Sequence, residues 1–163
     1  MDYGMALAFG GAAFATFLSG IGSSVGLGIA GRSAAGILSE KPEQYGLMTL
    51  LVVLPSTQGI YGLVISLFVM IKINLFGGDG DGLANITLVQ GLMIFAASLS
   101  VGVAGLFSGI HQGKICAGGI QMAAKRPEMG VKAGVVYAAM VEFYAILGFL
   151  VSFLLIFIGI KVG

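Results

Sequence analysis

Charge is the scarcest resource in this chain. Only 9% of its 163 residues are Asp, Glu, Lys or Arg, where a soluble domain carries about 25%. The shortage excludes an ordinary water-soluble domain, and the mean hydropathy of +1.05 agrees. A formal net charge of +1 gives no basic surface for nucleic acid. The one cysteine, Cys116, excludes an internal disulfide and reads as a small buried hydrophobe. The opening segment MDYGMALAFGG lacks a basic n-region, so the first apolar stretch reads as mature protein and not as a cleaved signal. Walker A patterns, Cys/His metal clusters and nucleophile triads are also missing, so the chain does not read as a catalyst. The GxGxxG match at Gly26–Gly31 lies inside an apolar helix with no strand before it, which excludes the dinucleotide reading.

What is present is four long stretches, three without a charged residue and the fourth with one. No Asp, Glu, Lys or Arg falls between Asp2 and Arg32, between Glu43 and Lys72, or between Asp81 and Lys114, and only Glu142 falls between Lys132 and Lys161. Each exceeds the ~20 residues that cross a hydrocarbon core. The expected fold is therefore an all-α membrane protein of four transmembrane helices, roughly Gly4–Leu38, Gly46–Phe76, Thr87–Ala124 and Met129–Ile160. Glycine is abundant, with 28 residues, and membrane helices use it where backbones approach closely. Small residues recur every fourth position at Ala12, Thr16, Gly20, Ser24 and Gly28, and again at Gly105, Gly109, Gly113 and Ala117. These lines predict a tightly packed inner layer of the first and third helices, with the bulkier second and fourth outside.

Arg32, Lys41, Lys114, Lys125, Arg126 and Lys132 flank the turns near residues 40 and 127, whereas Asp2, Asp79 and Asp81 lie at the other end with only Lys72 and Lys161. The bias of basic residues places those two turns in the cytoplasm and both termini outside. The chain is also a repeat. Shifted by 85 residues, Gly20 falls on Gly105, Ser23 on Ser108 and Lys41-Pro42-Glu43 on Arg126-Pro127-Glu128; a shift of 86 aligns Gly62 with Gly148 and Ser66 with Ser152. The expected organisation is a duplicated helical hairpin, 1–81 and 82–163, with both copies in the same orientation. The polar residues do not repeat: Glu142 falls on Ser56, Gln112 on Leu27, and Thr57 and Gln58 on Phe143 and Tyr144. Each chain thus holds the parts of one composite site.

Glu142 is the centre of that site. A carboxylate in the middle of a membrane helix costs roughly 2.5–3.5 kcal/mol on insertion scales, and such groups mark ion pathways; the alternative is a protonated carboxyl that ties two helices together. Leu54, Thr57, Gln58 and Tyr61 follow the i, i+3, i+4, i+7 spacing of one helix face, and Pro55 loosens the backbone beside them. The alternative there is a proline kink healed by the Ser56 and Thr57 hydroxyls. Gln112 adds a third helix. Thr57, Gln58, Gln112 and Glu142 together offer oxygens to one hard cation, with one negative charge to balance a monovalent ion. That surplus of oxygens points to Na+; H+ needs only the carboxyl and an acceptor. His111 points about 100° away from Gln112 around the helix and reads as a packing or interfacial residue.

The segments LPSTQGIYG at 54–62, GLFSGIHQGK at 105–114, KRPE at 125–128 and AAMVEFYAILGF at 138–149 closely resemble the proteolipid (c or K) subunit of V-type and V/A-type rotary ATPases, in particular the bacterial sodium-translocating members. The resemblance covers essentially the whole chain. It implies a homo-oligomeric rotor ring in a bacterial plasma membrane, a membrane stator subunit supplying a basic residue, and a central-stalk subunit at the cytoplasmic turns. It also implies that Glu142 carries the ion, that Leu54 (through its backbone carbonyl), Thr57, Gln58 and Gln112 are the other Na+ ligands, and that Tyr61 locks the carboxylate. The departure from the sodium pattern is Phe143, where such members often have Ser or Thr. The remaining readings are the same rotor with H+ as coupling ion, a small cation-coupled multidrug exporter, and a purely structural proteolipid.

Overall fold

The computed structural model describes residues 3–77 and 82–161; Asp2, Asp79 and Asp81, assigned above to the outer end, lie outside the described residues. Helix α1 spans Tyr3–Leu38, and α2 (Tyr45–Val53) runs through a 3₁₀ turn at Leu54–Ser56 into α3 (Thr57–Lys72). Helix α4 spans Leu88–Ala123, and α5 (Pro127–Leu154) ends in a π-helical turn at Leu155–Gly159. The four expected spans are thus present, as Tyr3–Leu38, Pro42–Lys72, Leu88–Ala123 and Pro127–Gly159, each long and apolar enough to cross a membrane. The chain is a multi-pass membrane protein.

Local chemistry fixes the boundaries. Thr87 and Gln90 form a capping box that satisfies the first donors of α4. Pro42 and Pro127 stand at the first helical positions of their segments, where a missing N–H costs nothing. Pro55 has the opposite effect inside the second span: it cannot donate, and the helix tightens to 3₁₀ at that turn.

The turns near residues 40 and 127 meet at one end, where the Lys41 ammonium donates to the Ala124 carbonyl at 2.5 Å, filling an acceptor that the end of α4 leaves open. At the other end the Gln90 side chain donates to the Lys161 carbonyl at 2.8 Å. Helices α1 and α4 form the inner layer. A Cβ placed on Gly22 would strike the carbonyls of Gly105 and Leu106, and one on Gly113 would strike the backbone of Gly26. In α5 only 17% of the most apolar window is buried, against 44% in α4, so α5 is the outer helix of the second hairpin.

The small-residue line foreseen on the first helix is displaced. The α1 glycines where an added Cβ would strike the backbone at or beside α4 are Gly4, Gly11, Gly22 and Gly26, whereas a Cβ on Gly20 or Gly28 would meet nothing within 4 Å. The cause is helical geometry: a strict four-residue spacing advances about 40° around the helix at each step, so a line from residue 12 to 28 leaves the interface it started in. The repeat survives in three dimensions. Ser66 donates to the Ala12 carbonyl in the first half, and Ser152 to the Ala97 carbonyl at 2.7 Å in the second.

Candidate functional site

The polar residues singled out in the sequence converge between α3, α4 and α5. The Tyr61 hydroxyl donates to Glu142 Oε1 at 2.6 Å. Gln112 Nε2 donates to Glu142 Oε2 at 3.3 Å and to the Ala138 carbonyl at 3.0 Å. Gln58 Nε2 donates to Gln112 Oε1 at 2.7 Å. Four of the six expected residues therefore form one chain of hydrogen bonds across three helices. Leu54 and Thr57 sit on the adjoining turn, where the Thr57 hydroxyl donates to the Leu54 carbonyl at 3.2 Å. The Ser56 hydroxyl likewise donates to the Val53 carbonyl at 2.7 Å. The hydroxyls beside Pro55 thus bond carbonyls three residues back and do not reach the Leu51 carbonyl that the proline deprives of its donor, so they do not heal the kink in the expected way.

The amide orientations follow from the acceptors. Ala138 offers its carbonyl, so Gln112 turns its NH₂ toward α5, where Glu142 Oε2 also accepts. Its Oε1 then faces Gln58, which must answer with its own NH₂. Gln58 Oε1 is left over. It is buried and has no hydrogen-bond partner, on a side chain that is 0% exposed. A buried acceptor without a donor costs about 1–3 kcal/mol, and a cation is one way to satisfy it.

Glu142 itself is half-buried. Both hydrogen bonds that reach it, from the Tyr61 hydroxyl and the Gln112 amide, end on its carboxyl oxygens as acceptors. Phe143, the departure from the sodium pattern, is exposed, as is Tyr144. His111 is exposed while its neighbour Gln112 is fully buried, in keeping with its reading as a non-ligand.

Ser108 was missed. It accepts from Gln58 Nε2 at 3.3 Å and donates to the Val141 carbonyl at 3.0 Å, tying the amide network to α5. Its position four residues before Gln112, on the same helix face, was the available signal. Phe149 stacks obliquely on Tyr61 with ring centroids 5.8 Å apart and holds the phenol over the carboxylate. Because that hydrogen bond is charged, Tyr61→Phe is expected to weaken cation binding about 10–100-fold, the equivalent of about 1.5–3 kcal/mol. Sodium-dependent protection of Glu142 from carbodiimide, titrated in both proteins, reads this directly.

Comparison with known proteins places this arrangement. The family model for the ATP synthase C subunit matches residues 10–69 and again 95–155, one match in each half. The K subunit of the V-type sodium ATPase of Enterococcus hirae is 47% identical over 96% of this chain and 97% of its own length. The K subunit of the A-type ATP synthase of Methanocaldococcus jannaschii is 33% identical over 94% of this chain and 62% of its own length. The 16 kDa proteolipid of the V-type proton ATPase of Nephrops norvegicus is 31% identical over 74% of this chain and 72% of its own length. Matched twice by the family model and along nearly its whole length by a V-type relative, the chain belongs to the ATP synthase C-subunit family, as a duplicated member of its V-type proteolipid branch.

Proposed function

We propose that this chain is the rotor-ring subunit that carries Na+ across the membrane, bound at Glu142 and released as the ring turns. The observation that carries the choice of ion is Gln58 Oε1, a buried oxygen without a donor in a network whose orientation the Ala138 carbonyl sets. Na+ would be held by Glu142, Gln112 Oε1, Gln58 Oε1, the Thr57 hydroxyl and the Leu54 carbonyl, a set of hard oxygen donors with one negative charge. The similarity to the K subunit of a sodium ATPase supports the same choice.

The mechanism is electrostatic. With the cation bound, the site is neutral overall and faces lipid without the penalty of a buried charge. Where a stator subunit presents a basic side chain, that group competes for the carboxylate and the cation departs to one side of the membrane. Tyr61 keeps the emptied carboxylate in place. Rotation and translocation are then one process. In this reading residues 1–81 form the hairpin without a carboxylate and 82–163 the ion-carrying one, so one ion travels per four helices. The Lys41–Ala124 end, bearing most of the basic residues, faces the cytoplasm and a central stalk, and both termini face outward across a bacterial plasma membrane.

H+ is the competing reading for the coupling ion, since relatives such as that of Nephrops norvegicus belong to proton ATPases. Carbodiimide modification separates the two. At fixed pH, labelling of Glu142 in the membrane-embedded ATPase is expected to fall as sodium rises, and protection is expected to weaken as pH drops and protons compete. Labelling that follows pH alone, at every sodium concentration, would remove Na+ from the proposal.

A further inference from the structure

The internal repeat gives each inner helix a face that its counterpart uses and that it does not. Within the chain, Gly22 of α1 lies against Gly105, Leu106 and Gly109 of α4, and Gly26 lies against Gly109 and Gly113. Advancing the two α1 residues by one repeat of 85 places them at Phe107 and His111. Both are exposed, Phe107 by 59%. Moving Gly105, Gly109 and Gly113 back by one repeat places them at Gly20, Ser24 and Gly28. Ser24 is exposed, and a Cβ on Gly20 or Gly28 would meet nothing within 4 Å. The pattern continues along the helices: Gly4 and Gly11, which abut α4, have Val89 and Ala96 as exposed counterparts.

The two open faces are therefore counterparts of the two sides of an interface already used inside the chain. One chain carries one of each, on opposite flanks, and cannot join them to each other. A second copy can, head to tail, in the heterologous arrangement that generates closed rings. We propose that the α4 face bearing Phe107 and His111 packs on the α1 line Gly20–Ser24–Gly28 of the next copy, in the register used internally: Phe107 over Gly20 and Ser24, His111 over Ser24 and Gly28. The proposal rests on the ring reading above and adds which faces meet.

The two interfaces are not equal. Inside the chain glycine lies on glycine, and backbone touches backbone. Between copies an aromatic ring and an imidazole take the place of Gly22 and Gly26, so the helix axes stand further apart and the two side chains fill the space over the open glycines. Phe107 and His111 are thus the spacers of the ring, and α1 and α4 alternate around it at short and long separations.

Disulfide trapping tests the register, because a bond forms only when the two Cα atoms come within about 4.4–6.8 Å. In a Cys116→Ala background, Ser24→Cys combined with His111→Cys, oxidised in native membranes, is expected to convert the monomer band into a ladder of covalent multimers that reductant collapses. Each single variant is expected to stay monomeric. Gly20→Cys with Phe107→Cys is a second pair with the same expectation. Ring-sized particles by electron microscopy with no ladder from either pair would overturn this interface and leave the ring reading standing. Absence of ring-sized particles from the parent protein would overturn the ring reading, and this interface with it.

Discussion

Replacing Glu142 with Gln is expected to reduce ATP-driven sodium uptake by the intact ATPase in vesicles to background, a fall of more than about 100-fold, while the protein still assembles. The substitution is nearly isosteric, and the amide oxygen still accepts from Tyr61, whose hydroxyl stands 2.6 Å from Oε1. What disappears is the charge. A cation entering the site would meet only neutral dipoles, and stripping one member from a buried ion pair costs about 3–5 kcal/mol, or roughly 10²–10⁴-fold in binding. The new amide NH₂ also confronts Gln112 Nε2, which donates to Oε2 at 3.3 Å, so two donors face each other or the amide turns away from Tyr61. Radioactive sodium uptake measures the first effect, and particle images of the same preparation measure assembly. Undiminished uptake would reduce Glu142 to a tie between helices, the structural role that its hydrogen bonds to Tyr61 and Gln112 could also serve.

The sequence exposed this site because apolar surroundings make each polar residue conspicuous. Glu142 stands alone between Lys132 and Lys161 among charged residues, and the spacing of Leu54, Thr57, Gln58 and Tyr61 puts them on one face whatever the neighbouring helices do. Spacing also separated buried Gln112 from exposed His111. It could not orient an amide, which depends on the Ala138 carbonyl across the helix pair, nor reveal that one Gln58 oxygen is left without a partner. Serine hides more easily. Ser66, Ser108 and Ser152 resemble packing residues in sequence, yet each bonds a carbonyl of a neighbouring helix. The inner layer was foreseen, but its contact line on α1 was not, because a fixed four-residue spacing cannot follow a 3.6-residue helix over four turns.

That contact line sets the second large effect. Gly113→Ala is expected to destabilise the protein by about 1–3 kcal/mol or more, the range for overpacked interiors, whereas Gly118→Ala, five residues further along α4, is expected to be neutral or slightly stabilising. The difference lies in what a methyl group meets. At Gly113 it would strike the Cα, carbonyl carbon and oxygen of Gly26, and backbone cannot swing aside as a flexible side chain does. At Gly118 it would meet nothing within 4 Å, and alanine gains up to about 1 kcal/mol over glycine in helix propensity. Thermal unfolding of the two variants in the same detergent gives the comparison, and equal midpoints would contradict the close α1–α4 contact. The damage at Gly113 extends beyond stability. Gln112 is its immediate neighbour, and its amide reaches Glu142 at 3.3 Å, already a long hydrogen bond. Pushing α4 away from α1 shifts that amide relative to α5, so Gly113→Ala is also expected to weaken sodium protection of Glu142 in protein that remains folded. Glycine at this position would then serve the proposed ion site as well as the packing: the backbone contact it permits fixes where the helix bearing Gln112 stands.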